Sequence, residues 1–240
     1  MTSSPARIAA VVLPARGGEH LARALEALDW ADERAVLAVD GHALDLPPGV
    51  ASVDDPSRLL PADGWVLVLS EQERLEPAGG GALRAAVADA APEQVFAFPC
   101  VTTALAMRVR LGRTMVRLAP RRTPLVVRPG LDVELARGAH PVRTLDVAIV
   151  RALGDTLTEA VELLGAEATT LASLVDRRVG RGRGIVWQPL VAGTRALTAR
   201  AQGRVGLGRW VLAVLESYRV VVTYAKLWER RRERVVEAFG

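Results

Sequence analysis

Acidic side chains follow two predicted strands of this 240-residue chain, and they are its first candidates for chemistry. Asp40 comes directly after the apolar run 36–39, at the kind of strand end where open α/β sheets bind ligands. Glu71 and Glu73 lie in the polar run that follows the apolar run 65–69. Either glutamate could turn toward a cation, but neighbours on a strand point to opposite faces, which argues against Glu71.

The composition excludes several other kinds of site. Cys100 is the only cysteine, so a disulfide framework and a cysteine-rich zinc site are both unavailable within one chain. Three histidines argue against a multi-histidine metal centre. The formal charge is only +4, and the arginine runs 177–183 and 230–234 are typical of solvated surface, since aromatic stacking partners are scarce around the first. We therefore expect no nucleic-acid partner.

The order of apolar runs predicts an α/β protein with a mostly parallel, Rossmann-like central sheet flanked by helices. A strand over 8–13, a helix over 19–28 and a strand over 36–39 begin a parallel sheet. Further strands are predicted over 50–53, 65–69 and 95–98, and a helix over 83–90. The alternation in 107–127 predicts antiparallel strands that cross the end of the sheet.

The pattern changes to a helical one from Thr144 onward. Leu145, Ile149 and Leu153 are spaced four apart and continue into further helical spacing, and a last helical region is predicted over 186–238. We therefore divide the chain into an α/β domain, 1–143, and a helical C-terminal extension, 144–240. The extension is expected to pack on the domain, on a partner subunit or on a membrane surface.

Four segments carry motifs in a recognisable order: Ile8–Glu33 with Asp40-Gly41 after it, Gly64–Pro77, Val116–Arg122 and Leu215–Glu229. Together they resemble family 2 glycosyltransferases, and they are most similar to the branch that includes the lipopolysaccharide core glucosyltransferases. The resemblance implies a GT-A fold, a nucleotide-sugar donor, a divalent metal at an Asp-X-Asp motif and an acidic catalytic base. Mg²⁺ or Mn²⁺ would neutralise the leaving diphosphate.

The sequence departs from this family at the metal motif. Ser70 and Gln72 stand where the two aspartates are expected, and Arg151 stands where the branch has a histidine that helps to hold the metal. Glu73 matches the trailing glutamate of the motif and remains a candidate for binding the nucleotide sugar or a cation. We assign no metal ligands, and we expect Mg²⁺ or Mn²⁺ only if Glu73 binds the metal in place of the two aspartates.

The resemblance implies roles for the remaining candidates. Glu134 would be the catalytic base, although Val133 replaces the histidine that precedes it in the family, and a solvated acid is an equal alternative. Asp40 would contact the nucleotide, as would Asp45, which an ordinary turn explains equally well. Two arginines, Arg151 and Arg117, would bind or neutralise the diphosphate in place of the metal.

Two functions are compatible with these departures. The first is transfer of a sugar from a nucleotide-sugar donor to a saccharide or lipid-linked acceptor in cell-envelope glycan synthesis, with arginine in place of the metal. The alternative is a catalytically inactive pseudo-glycosyltransferase that acts as a binding or scaffold partner. A protein no longer under selection for catalysis is expected to lose both aspartates, the histidine and the nucleotide loop. A fold by itself does not imply a function.

The C-terminal helix carries Trp210, Tyr218, Tyr224 and Trp228 among valines and leucines and ends in four arginines. This composition suits contact with the inner-membrane surface, but stripes of this kind are usually buried core, so packing on the domain or in a homodimer is favoured. No signal-peptide pattern opens the sequence, so we expect a cytoplasmic protein, peripheral on the inner membrane face if the helix binds lipid.

Overall fold

A mixed β-sheet of nine strands forms the centre of the protein. The structure is a computed structural model and describes residues 6–39, 45–54, 64–128, 132–138, 140–178, 194 and 206–239. The elements, in chain order, are β1 (Ile8–Leu13), α1 (Gly18–Glu26), β2 (Glu33–Leu37), β3 (Val50–Val53), β4 (Trp65–Ser70), β5 (Glu73–Leu75), α2 (Gly79–Ala88), β6 (Val95–Ala104), β7 (Met107–Pro120), β8 (Leu125–Arg128), β9 (Asp132–Leu135), β10 (Val142–Thr144), β11 (Ile149–Ala152), α3 (Leu157–Arg178) and α4 (Gly206–Phe239).

The strands lie in the order β3-β2-β1-β4-β7-β6-β11-β5, with β10 paired to β6, and β8 and β9 form a separate hairpin. β1, β2, β3 and β4 are parallel to one another, as are β6, β10 and β11. β7 runs antiparallel between β4 and β6, and β5 runs antiparallel to β11. The predicted α/β class and its mostly parallel sheet are therefore confirmed. An antiparallel strand is present in 107–127 as predicted, but it lies inside the sheet and does not cross its end.

Both faces of the sheet are covered, which explains why its central strands are continuous apolar runs. All six residues of β1 are buried, with even positions on one face and odd positions on the other. Leucines of α1 and α2 cover the face that carries Ile8, Ala10 and Val12. The opposite face packs against α3, α4 and the β8–β9 hairpin.

The two C-terminal helices lie side by side and run in the same direction. Lys226 donates a hydrogen bond to Thr169 at 2.8 Å, Arg230 bonds Ser173, and Arg231 bonds Asp176 at 3.1 Å. The partners on α3 and α4 rise together along the chain, which requires parallel axes. These contacts fix α4 against α3 over its second half.

The structure corrects one part of the sequence prediction. The spacing of Leu145, Ile149 and Leu153 predicted a helix, but 149–152 is β11, a strand that pairs with β6 and with β5. Helical structure begins at Leu157, so the segment after Thr144 contributes a strand to the central sheet before it becomes helical. As a result, Arg151 lies on the sheet and not on a helix.

Candidate functional site

The order of the strands marks one place in the sheet as a candidate site. From β1 the chain continues to β2 and β3 on one side, and then crosses to β4 on the other side. Open α/β sheets bind ligands outside the carboxyl ends of their strands at such a reversal. A cavity of about 40 Å³ lies at this place, lined by Leu13 and Pro14 after β1 and by Ser70 at the end of β4.

The floor of the cavity is formed by polar side chains of three strands. Thr102 of β6, Arg117 of β7 and Arg151 of β11 all line it, and Arg151 lies directly opposite Thr102 in the parallel ladder. Ser70, Thr102 and Arg117 are at most 7% exposed. Charged and hydroxyl groups therefore lie where the sheet is otherwise apolar.

The roof of the cavity comes from the C-terminal helices and the β8–β9 hairpin. Glu167 and Thr170 of α3, Arg219 of α4 and Asp132 of β9 complete the lining. The hydroxyl of Thr170 donates a hydrogen bond of 2.5 Å to the backbone oxygen of Pro14, which ties α3 to the end of β1. The helices thus close the carboxyl end of the sheet with charged groups of their own.

Arg151 and Arg219 are held by carboxylates from these helices. Arg151 pairs with Glu216 at 2.6 Å and with Glu167. Arg219 lies 3.1 Å from Glu216 and 3.5 Å from both Glu167 and Asp132. Burial alone would lower the pKa of Arg151, but Glu167 and Glu216, with a smaller contribution from Glu73, outweigh burial and raise that pKa. Arg151 is therefore a permanently charged group with two carboxylate partners.

Arg117 and Glu73 form a second buried pair. The Nη2 of Arg117 lies 2.5 Å from Oε1 of Glu73, and the backbone N–H of Ser70 donates to the other oxygen of Glu73 at 2.7 Å. Both oxygens of this carboxylate are therefore in use. In contrast, Nε and Nη1 of Arg117 and the hydroxyls of Ser70 and Thr102 have no hydrogen-bond partner within the described residues.

The residues at the metal motif do not fit a divalent cation. Among the residues that the structure describes, no group of three or more His, Cys, Asp or Glu side chains is placed to hold a metal. Glu73 is neutralised by Arg117, whose cationic group would repel a second cation. Glu71 is 2% exposed and accepts hydrogen bonds from the backbone N–H groups of Ala15, Arg16 and Gly17 at 2.7–3.1 Å. That carboxylate stabilises the loop before α1.

Two predicted site residues do not line the cavity, and a third falls outside the described residues. Asp40 falls outside the described residues, and Asp45 is exposed in the segment before β3. Glu134 is 5% exposed on β9, opposite Val126, but the lining of the cavity contains its neighbours Asp132 and Val133 instead. Of the predicted residues, the structure therefore brings together Ser70, Glu73, Arg117 and Arg151, and it leaves Asp45 apart from them.

Sequence reasoning missed the charged groups of the roof. Glu216 and Arg219 interrupt an apolar stretch of the C-terminal helix, and buried charges in such a stretch need partners inside the protein. That signal was present, although it indicated only that the stretch was too polar for a membrane span. Glu167 and Asp132 carry no comparable signal, because each lies in an ordinary mixture of polar and apolar residues.

No protein-family model matches this chain, and no curated protein matches it significantly. A bilayer-crossing helix is likewise not found in the described part of the chain, since none of its helices is both long and apolar enough.

Proposed function

We propose that this protein is a catalytically inactive relative of nucleotide-sugar transferases, which acts as a binding or scaffold partner in cell-envelope glycan synthesis. One observation carries the proposal. Arg151, the group assigned to neutralise a leaving diphosphate, is buried and already paired with the carboxylates of Glu167 and Glu216. A diphosphate would have to displace both carboxylates.

The resemblance of four segments to family 2 glycosyltransferases supports the choice of family, and the architecture is compatible with the GT-A fold that it implies. A mostly parallel sheet, an antiparallel β7 and a cavity at the reversal of strand order support this proposal. The covering helices α3 and α4 occupy the space above the carboxyl ends of the strands, where the donor would bind.

The energetics of the ion network favour a closed site. The lining contains three arginines and three acids, and Glu216 behind Arg151 adds a fourth carboxylate, so the network carries no excess positive charge. Breaking a buried ion pair by removing one partner typically costs about 3–5 kcal/mol. A diphosphate would bring further negative charge into this network, which is unfavourable without a cation.

A metal-independent transferase is the second candidate, and Arg117 is the observation that favours it. Its Nε and Nη1 groups are buried without a hydrogen-bond partner within the described residues, next to the similarly unpaired hydroxyls of Ser70 and Thr102. These groups all donate hydrogen bonds, as a ligand for phosphate oxygens must. In this case Glu134→Gln should abolish transfer while donor binding persists.

Calorimetric titration of the full chain with UDP and GDP, each with and without Mn²⁺, separates the two candidates. An inactive protein binds neither nucleotide under either condition. Binding that needs no metal and is lost in Arg117→Gln would favour the transferase. Arg108→Gln is the matched control, because Arg108 forms an exposed ion pair with Glu76 outside the cavity. Binding that requires Mn²⁺ would overturn both candidates.

A gain of binding tests the closed site directly. Glu167→Gln with Glu216→Gln removes two carboxylates that pair with Arg151 and Arg219, so the lining becomes net positive. We expect this double variant to bind UDP where the parent protein does not, provided that its thermal unfolding remains cooperative. A folded double variant with no affinity for UDP would indicate that the carboxylates of Glu167 and Glu216 are not what prevents UDP from binding.

A further inference from the structure

The outer face of α4 carries an exposed apolar stripe. Its exposed fractions are 60% for Trp210, 65% for Val214, 51% for Val221 and 60% for Trp228. Two further residues on this face, Tyr218 and Ala225, are also exposed. We call these six residues the outer stripe. They recur at intervals of three and four, so they share one face over about five helical turns, or about 27 Å.

The outer stripe does not serve the core, because α4 packs through a different face. Leu212, Leu215, Val220 and Leu227 are buried against the rest of the protein. The helix is therefore apolar on two sides, and its second apolar side faces away from the described residues. Neither the ion network nor the packing of α3 requires that second side.

We propose that the outer stripe docks α4 flat onto a bilayer surface that contains anionic lipid. The stripe has indole rings at both ends and a phenol between them, and such side chains favour the interface between acyl chains and headgroups. None of its six members is charged. The helix is not apolar enough to cross a bilayer, so it lies on the surface.

At one end of the stripe an exposed arginine, beside the exposed Glu229 and Glu233, offers a contact for anionic lipid. Arg232 lies one turn beyond Trp228, is exposed, and holds its guanidinium carbon 5.7 Å from the centre of the Trp228 ring. A cation above an interfacial indole is placed at the level of lipid phosphates. Lys226, Arg230 and Arg231 bond side chains of α3 instead, so they hold the inner face of α4 while the stripe is presented.

The size of the stripe favours a lipid surface over a second protein chain. A strip about 27 Å long and about 10 Å wide offers about 300 Å². A stable protein–protein interface buries about 800 Å² on each partner. A second chain would have to contact surface beyond the stripe to bury that area, whereas a bilayer accepts a single straight helix along its whole length.

Flotation of the full chain with lipid vesicles tests the proposal. The two compositions are phosphatidylcholine alone and an equimolar mixture with phosphatidylglycerol, and we expect binding to the mixture. Val214→Ser with Val221→Ser should weaken that binding by more than about tenfold, since binding scales with buried apolar area. Val142→Ser is the matched control, because Val142 is 43% exposed on β10, away from α4, and we expect no change.

Arg232→Gln sharpens the test of charge. It should weaken binding to the anionic mixture about fivefold and leave binding to phosphatidylcholine unchanged. Circular dichroism and urea unfolding check that the variants are folded. Substitutions at these exposed positions should leave the helical signal and the unfolding midpoint unchanged. The proposal is overturned by absence of binding to both kinds of vesicle, by binding that the double serine variant retains, or by a dimer in sedimentation analysis that this variant dissociates.

Discussion

The two faces of the central sheet are built on different principles at its carboxyl end. Under α1 and α2 the sheet presents Leu67, Leu69, Phe96 and Phe98, all at most 1% exposed, to leucines of the helices. Under α3 and α4 it presents Arg151 to carboxylates of these helices, and Arg117 pairs with Glu73 of β5. The first face depends on apolar area, and the second depends on pairing.

This difference distinguishes the candidate site from the rest of the core. Substitutions on an apolar face lower the stability of the protein roughly in proportion to the number of atoms removed. In a buried ion network, removal of any one partner lowers the stability, because it leaves a buried charge without its partner. Replacing such a network by apolar residues is often neutral or stabilising, so fold stability alone does not account for it. The network lies where the strand order reverses, which is the position where open α/β sheets bind ligands.

The largest expected effect is on the charged face. Arg151→Met leaves Glu167 and Glu216 as buried carboxylates without this partner, and it should lower the free energy of unfolding by about 3–5 kcal/mol. Urea denaturation measures the change. Adding Glu167→Gln and Glu216→Gln to the same chain should recover most of the loss. A loss below about 1 kcal/mol would mean that the network is not energetically coupled.

A cavity on the apolar face provides the contrast. Leu83 of α2 is fully buried in the cluster that contains Phe96 and Phe98, and Leu83→Ala should cost about 2–5 kcal/mol. Urea denaturation at low and high sodium chloride should give the same difference between variant and parent, because no charge is involved. If this difference depended strongly on salt, electrostatic interactions would also stabilise the apolar face, and the two faces would not differ in the way described.

A close approach on the same face gives a smaller effect. A Cβ at Gly80 would lie 2.6 Å from the indole of Trp30, whereas one at Gly81 would meet no atom within 4 Å. Gly80→Ala should therefore lower the free energy of unfolding by about 1–3 kcal/mol, by overpacking. Gly81→Ala should raise it by about 0.5–1 kcal/mol, through helix propensity. Thermal unfolding of both variants checks the pair, and equal effects would contradict it.

The smallest effect concerns an ion pair at the rim of the apolar face. Burial raises the pKa of Asp32, but the Arg84 guanidinium and the backbone N–H of Ile8 outweigh it and hold that pKa below its ordinary value. Because the pKa of this carboxyl is lower in the folded state than in the unfolded state, the carboxylate stabilises the fold above the unfolded pKa of about 3.9. That stabilisation is lost as the pH falls through the folded pKa. Asp32→Asn should therefore reduce the decline in the urea midpoint below about pH 4.

The effect of Asp32→Asn at neutral pH should be less than about 1 kcal/mol, because the pair is partly exposed. Identical acid profiles for variant and parent would show that Asp32 does not contribute. Glu19→Gln is the control, since Glu19 forms a more exposed pair with Arg23 on α1.

The sequence predicted most of the sheet, because its strands are short apolar runs between turn residues. It failed at β11 for a specific reason. Leu145, Ile149 and Leu153 are spaced four apart, and a spacing of four fits both a helical face and the alternation of a strand. The segment forms a strand because it pairs with β6 and β5. Pairing between strands that are distant in the chain cannot be predicted from the local spacing of apolar residues.

By itself, the sequence determined that a mostly parallel sheet would form and that Ser70 and Glu73 would follow one of its strands, since apolar periodicity and residue type are local properties. It placed Arg151 in a helical region. Only the tertiary structure decided what those groups contact. Arg151 meets Glu167 and Glu216, which are 16 and 65 residues away along the chain. The packing of α3 and α4 against the sheet brings the three together, because burying a charge requires a partner wherever the fold can supply one.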